Sequence, residues 1–162
     1  MKTLLILRHA KSSWKDEELD DHERPLNKRG LNDAPRMGEV IKEHDLVPEY
    51  ILSSSAVRAH LTAELAAEQC GYEGEIGGGR ELYSFASADY LDALEKVDDG
   101  YSRVMVVGHN PGLEELAEWL TGVYTSLPTA TLAVLRLDIE HWSELEEGGV
   151  GEMVQVFRPR EL

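Results

Sequence analysis

The sequence predicts an α/β fold: a three-layer sandwich with a mostly parallel central sheet and an antiparallel edge. Two unbroken aliphatic runs, Leu4-Leu5-Ile6-Leu7 and Val104-Met105-Val106-Val107, read as strands buried on both faces, the kind found in parallel sheets. Segments with helical periodicity alternate with the strands. Near the C-terminal end, aliphatic stretches at 131–137 and 152–157 flank Glu146-Glu147-Gly148-Gly149, the pattern of an antiparallel pair.

The first strand cannot carry Arg8 and His9 in its buried middle, so both belong at its C-terminal end. In open α/β sheets that end is where ligands bind. A polar, acidic loop from Asp16 to Glu23 follows and closes at Arg24-Pro25-Leu26. Asn27 is suited to cap a helix reaching about His44, with Leu31, Ala34, Met37, Val40 and Ile41 on one face; Pro35 should kink that helix or delay its start. Tyr50-Ile51-Leu52 reads as a short strand, and Ser55 as the N-cap of a helix from Ala56 to Cys70 closed by Gly71. Glu75-Ile76 suggests a minor strand ahead of a turn at Gly77-Gly78-Gly79. A further helix is expected from about Ala88 to Val97, capped by Ser87. After the second aliphatic run comes Gly108-His109-Asn110-Pro111. The helix from Gly112 to about Thr121 then buries Leu113, Leu116, Ala117 and Leu120.

With 162 residues and 42% hydrophobic content, the chain is expected to form one domain, 1–162, with a sizeable core. No run of about eighteen apolar residues occurs. The N-terminal apolar run lacks a cleavage site, so no signal peptide is expected. Cys70 is the single cysteine and reads as a buried, reduced thiol, consistent with a cytoplasmic location. A net charge of −15 argues against nucleic acid and anionic membrane as partners, because both require a positive surface. Against that background an anion site must be built by gathering a few cations in one cleft.

Arg8-His9, Arg58 and His109 all fall at strand ends or at the first turn of a helix. Arg58 in a first turn opposes the helix dipole, and a bound anion would remove the conflict. Two guanidiniums, two imidazoles and two helix N-termini suit a dianionic tetrahedral group, since arginine forks match phosphate oxygens bidentately.

With Leu7-Arg8-His9-Ala10, Arg24-Pro25-Leu26, Ser53 through Ala59 and Val107 through Pro111, the sequence resembles the histidine phosphatase superfamily of phosphoglycerate mutase-like fold. Alanine in place of the glycine that usually follows Arg-His, together with the short chain, resembles its phosphohistidine phosphatase SixA branch. The resemblance implies that His9 is the nucleophile and passes through a phosphohistidine, with its other ring nitrogen held by a backbone carbonyl. It implies that Arg8, Arg58 and His109 grip the phosphoryl oxygens, with Arg24 and Asn110 as further substrate-binding residues. Relatives place a small residue or asparagine six or seven positions past the nucleophile, near Lys15 here. The resemblance implies no metal and no other cofactor, and no cluster with metal-ligand spacing is present in the sequence.

A phosphate ester requires a general acid to expel its alkoxide. The resemblance implies that this acid lies in the segment after the second Arg, where Glu81 is the candidate, with Asp89 and Glu17 or Glu18 as alternatives. Imidazole leaves more easily than an alkoxide, so a pocket without a strong acid favours phosphohistidine. The expected partner is a phosphohistidine-bearing protein, with a small phosphorylated substrate or a non-catalytic phosphate-binding module as alternatives. A monomer is expected. His22, His44, His60 and His141 are read as non-catalytic, and Trp14 and Tyr83 as packing or rim residues.

Overall fold

The computed structural model describes residues 1–162. Its six strands are β1 (Lys2–Arg8), β2 (Tyr50–Ser54), β3 (Ile76–Gly79), β4 (Arg103–Gly108), β5 (Leu132–Leu137) and β6 (Gly151–Phe157). Four helices complete the frame: α1 (Lys28–Glu43), α2 (Val57–Cys70), α3 (Ser87–Glu95) and α4 (Gly112–Thr121). The strands form one sheet in the order β3-β2-β4-β1-β5-β6. β1, β4, β2 and β3 run parallel, while β5 lies antiparallel to β1 and carries the antiparallel edge strand β6.

Side chains alternate across a strand, so the two aliphatic runs feed two cores. Leu5, Leu7, Met105 and Val107 face α1 and α2, whereas Leu4, Ile6, Val104 and Val106 face α3 and α4. All eight are fully buried, which is why the runs show no polar alternation. Parallel β1 and β4 in register end together, with Arg8 opposite Gly108. The residues that follow each strand, His9 and His109, therefore emerge side by side.

Three local expectations change. The glycines at 77–79 are not a turn; they form strand β3 itself, paired with β2 from Ile51 to Ser54. A Cβ at Gly78, whose φ is 91°, would overlap the backbone of Ser53, so the strand needs the missing side chain to lie against β2. Helix α1 begins at Lys28, capped by the Asn27 side chain accepting from the Gly30 N–H, and runs through Pro35. The proline leaves the carbonyl of Leu31 without its usual helical donor, and Leu31 itself is exposed rather than part of the core. Neither Ser55 nor Ser87 caps a helix. α2 starts after Ala56, whose N–H donates to Ser54 Oγ, and α3 starts at Ser87 itself and ends at Glu95. Gly71 closes α2 in the left-handed region at φ 85°, as the sequence indicated.

Candidate active site

A cleft of about 490 Å³ opens at the C-terminal ends of β1, β2 and β4. It is lined by Arg8, His9, Arg24, Arg58, His109 and Asn110, joined by Lys11, Ser12, Trp14, Asp21, Phe85 and Thr129. The ring centroids of His9 and His109 lie 5.2 Å apart. Two imidazoles a hundred positions apart in sequence thus face one cavity with three guanidiniums around them.

His9 is fixed by its neighbour. Its Nδ1 lies 2.7 Å from the carbonyl oxygen of Ala10. A carbonyl only accepts, so Nδ1 carries the proton and Nε2 keeps its lone pair. Burial, reinforced by the charges of Arg58, Arg8 and Arg24 and only partly offset by the Ala10 hydrogen bond, lowers the His9 pKa to about 4. The ring is neutral at physiological pH, the form a nucleophile requires. Ala10 is itself pinned: its N–H donates to Thr62 Oγ1, which donates in turn to the carbonyl of Arg58 one turn back along α2.

His109 sits just beyond β4. Its backbone N–H donates to the hydroxyl of Tyr90 at 2.8 Å, and its Nε2 lies 2.8 Å from Ser54 Oγ. Tyr90, fully buried, donates in turn to the carbonyl of Ser84. Gly108 makes this possible, since a Cβ there would overlap the Tyr90 hydroxyl. Burial and the nearby His9 and Arg58 charges lower the His109 pKa to about 3.

Arg58, the second residue of α2, is 2% exposed. The anion that its position called for is Asp21: Nη2 donates to Asp21 Oδ2 at 2.9 Å and Nη1 to the Asp21 carbonyl at 2.7 Å. Asp21 also accepts from the Tyr83 hydroxyl at 2.6 Å and from Arg24 Nε at 3.1 Å. Burial pushes this carboxyl up, but the hydrogen bonds from Tyr83, Arg58 and Arg24 and the Arg58 charge outweigh it and hold the pKa down to about 2. Arg24 is buried as well. It donates to Ser12 Oγ and the Ser13 carbonyl, and its guanidinium lies 3.4 Å from the Trp14 ring centroid. The loop after β1 pairs with the strand-like segment around Leu26, which carries Arg24 to the cleft. Arg8 donates from Nη1 to the Leu127 carbonyl, and Asn110 Nδ2 donates to the same oxygen.

Glu81 is not brought to this cleft. It lies in the one-turn helix Arg80–Leu82, whose inward side chain is Leu82, and it faces a separate cleft beside Tyr50 together with Asp89. Asp89 accepts from Ser84 Oγ, and Glu17 and Glu18 are exposed in the loop outside the cleft. Lys15 does not line the cleft; Lys11 and Ser12 do. The carboxylate at the site is Asp21, which sequence reasoning passed over inside an acidic loop. Its signal was the position three residues ahead of Arg24. Of the four other histidines, none lines the cleft, although His22 reaches Ser55 Oγ and packs edge-on against Tyr83.

Residues 4–79 match the family model for the histidine phosphatase superfamily, branch 1. An uncharacterized chloroplastic protein of Arabidopsis thaliana is 36% identical over 152 residues, covering 88% of this chain and 70% of that protein. The chain belongs to the histidine phosphatase superfamily. Among solved structures of the superfamily, a SixA protein from Agrobacterium tumefaciens superposes with a TM-score of 0.81 at 26% identity over 98% of both chains. The protein histidine phosphatase SixA complexed with tungstate shares the fold at a TM-score of 0.80 and 23% identity, again over 98% of both chains. Family membership and the ring of cations around two imidazoles support phosphatase activity. No helix is long and apolar enough to cross a membrane.

Proposed function

We propose that the chain is a phosphatase that works through a covalent phosphohistidine on His9 and acts on phosphohistidine carried by a protein. One observation carries the proposal: the Nδ1–H of His9 is committed to the Ala10 carbonyl, leaving a neutral Nε2 in a cleft with Arg8, Arg58 and His109. Nε2 attacks phosphorus as the bond to the leaving group breaks, and the leaving group departs with the bonding pair. Water then attacks the phosphohistidine, returning the ring to its neutral form and releasing inorganic phosphate. Arg8, Arg58 and His109 stabilise the charge that spreads over the equatorial oxygens. Burial, aided by the neighbouring cations, keeps the His109 ring neutral; a dianion beside it favours the charged form, so substrate binding raises its pKa and favours donation of a hydrogen bond to the phosphoryl group.

The leaving group supports the choice of substrate. Asp21 is ionised in the free site and offers no proton, which suits an imidazole nitrogen better than an alkoxide. The rim residues Trp14 and Phe85 are 69% and 47% exposed, so the cleft mouth is open to a side chain borne on another protein. The solved SixA phosphatase noted above supports the same reading. A small phosphate ester is the second reading, favoured by one fact: Asp21 lines the cleft, and a bound dianion next to it raises its pKa toward protonation.

The test is rapid quench with phosphorus-labelled phosphohistidine protein. Wild type is expected to hold acid-labile, alkali-stable phosphate, and His9→Ala to hold none and to lose turnover by about 10³-fold or more. Full turnover in His9→Ala ends the proposal.

A further inference from the structure

A second cleft, of about 360 Å³, adjoins the first and shares Arg8, Lys11 and Thr129 with it. Pro128 and Pro159 are its only apolar lining residues. Five cations do: Arg8, Lys11, Arg29 from the first turn of α1, and Arg158 and Arg160 from the segment after β6. Glu161 is its single carboxylate. Sixteen lysines and arginines stand against thirty-one carboxylates in this chain, so chance would scatter the cations among acids. Here they converge instead. Arg29 pairs with Asp33 and Arg158 with Glu161, but Lys11 and Arg160 form no ion pair. Nε of Arg8, at the boundary of the two clefts, is buried with no hydrogen-bond partner.

Gathering like charges costs electrostatic energy that an anion recovers. The chain's net charge of −15 repels anions at long range, so any anionic substrate depends on such local focusing. We infer that this cleft is a subsite for a second anionic group on the same substrate, a carboxylate or phosphate borne beside the phosphoryl group that His9 receives. The inference rests on the proposed phosphatase reading and adds the substrate class: phosphorylated molecules with a neighbouring negative charge. On a protein substrate, that group is an aspartate, a glutamate or a second phosphate flanking the phosphohistidine. On a small molecule it is a second phosphate. Arg158 and Arg160 touch only this cleft, which separates their role from the chemistry at His9.

The experiment compares wild type with Arg160→Gln, with Arg158→Gln/Arg160→Gln and with Glu161→Gln, each checked for an unchanged Tm. Phosphoimidazole carries no second anion, and all four proteins are expected to hydrolyse it within about twofold of one another. On a phosphohistidine peptide flanked by aspartates, kcat/KM is expected to fall about tenfold in the double variant and to rise in Glu161→Gln. The same peptide flanked by asparagines should show neither change. If a small ester with a second phosphate responds and the aspartate peptide does not, the anion comes from a small molecule. Equal losses on charged and uncharged substrates, or no loss on any, overturn the inference. A turnover-free arm titrates inorganic phosphate and follows backbone amide NMR signals. Wild type should show two sites, one around His9 and His109 and one around residues 158–161, with only the second lost in the double variant. A single site in wild type overturns the inference. No phosphoimidazole hydrolysis with both sites intact strikes the catalytic reading and leaves this one standing.

Discussion

At the scale of single residues, the chemistry turns on which atoms carry protons. His9 has a pKa of about 4 in the folded protein, against 6.5 for the free side chain. On the proposed mechanism the neutral Nε2 is lost only when pH falls through about 4, so kcat/KM on a phosphoramidate, once corrected for the substrate's own ionisation, should decline only below about pH 5. A decline centred near 6.5 that persists after that correction would show an unshifted ring. Asp21 permits a sharper division. Its carboxylate competes with a phosphoryl group for Arg58, so Asp21→Asn should bind inorganic phosphate more tightly by about threefold to tenfold. On the second reading, in which Asp21 gains a proton when the dianion binds, the same variant should slow an alkyl phosphate by about 10²-fold while leaving a phosphoramidate within a few fold. Isothermal titration and steady-state rates on the two substrates measure both effects, and equal slowing on both substrates would remove the acid role.

At the scale of elements, the site depends on how β4 hands over to α4. The Tyr90 hydroxyl from α3 accepts the His109 N–H, and it reaches there because Gly108 has no side chain. Tyr90→Phe leaves that buried N–H unpaired and should lower stability by about 1–3 kcal/mol, measured by urea unfolding. It should also lower kcat more than it raises KM, because His109 shifts relative to His9. A mutant with lost stability but unchanged kcat would show Tyr90 to be only a packing residue. Element placement was largely legible in the sequence. The aliphatic runs at β1 and β4 lie where their composition put them, because strands buried on both faces leave a pattern that local chemistry cannot imitate. β3 was not legible: three glycines look like a turn, and only pairing with β2 makes them a strand.

At the scale of the whole molecule, two buried neutral histidines link stability to pH. Both have folded pKa values depressed below 6.5, to about 4 and about 3. The unfolded chain therefore binds more protons than the folded one below about pH 6.5, and stability falls as pH drops from 6.5 to about 3. Thermal melts at pH 7 and pH 4.5 should show a lower Tm at the acid value. Phosphate at one hundred times its dissociation constant should add about 2.7 kcal/mol of stability at pH 7, read as a raised Tm. His9→Ala/His109→Ala should flatten the pH dependence, and an equal slope in that variant would place its origin elsewhere. The sheet sets a further expectation. Ile6 is fully buried at the centre of β1, and Ile6→Ala should cost about 2–5 kcal/mol by denaturant unfolding.

The sequence by itself determined the alternation of strand and helix, the two strand ends that carry His9 and His109, and the arginine in the first turn of α2. These are local signals, written in consecutive residues whose burial or capping chemistry has a short period. The partners of those residues were decided only by the tertiary structure. Asp21 lies in a loop without periodicity, and nothing in its neighbours says that it folds back onto Arg58; Glu81 sits closer in sequence to a plausible acid position, yet its one-turn helix directs it elsewhere. The same holds for the cleft that joins Arg29 to Arg158 and Arg160, which no window of consecutive residues contains. Contacts between distant segments depend on how whole elements pack, and that packing is set by the shape of both cores at once.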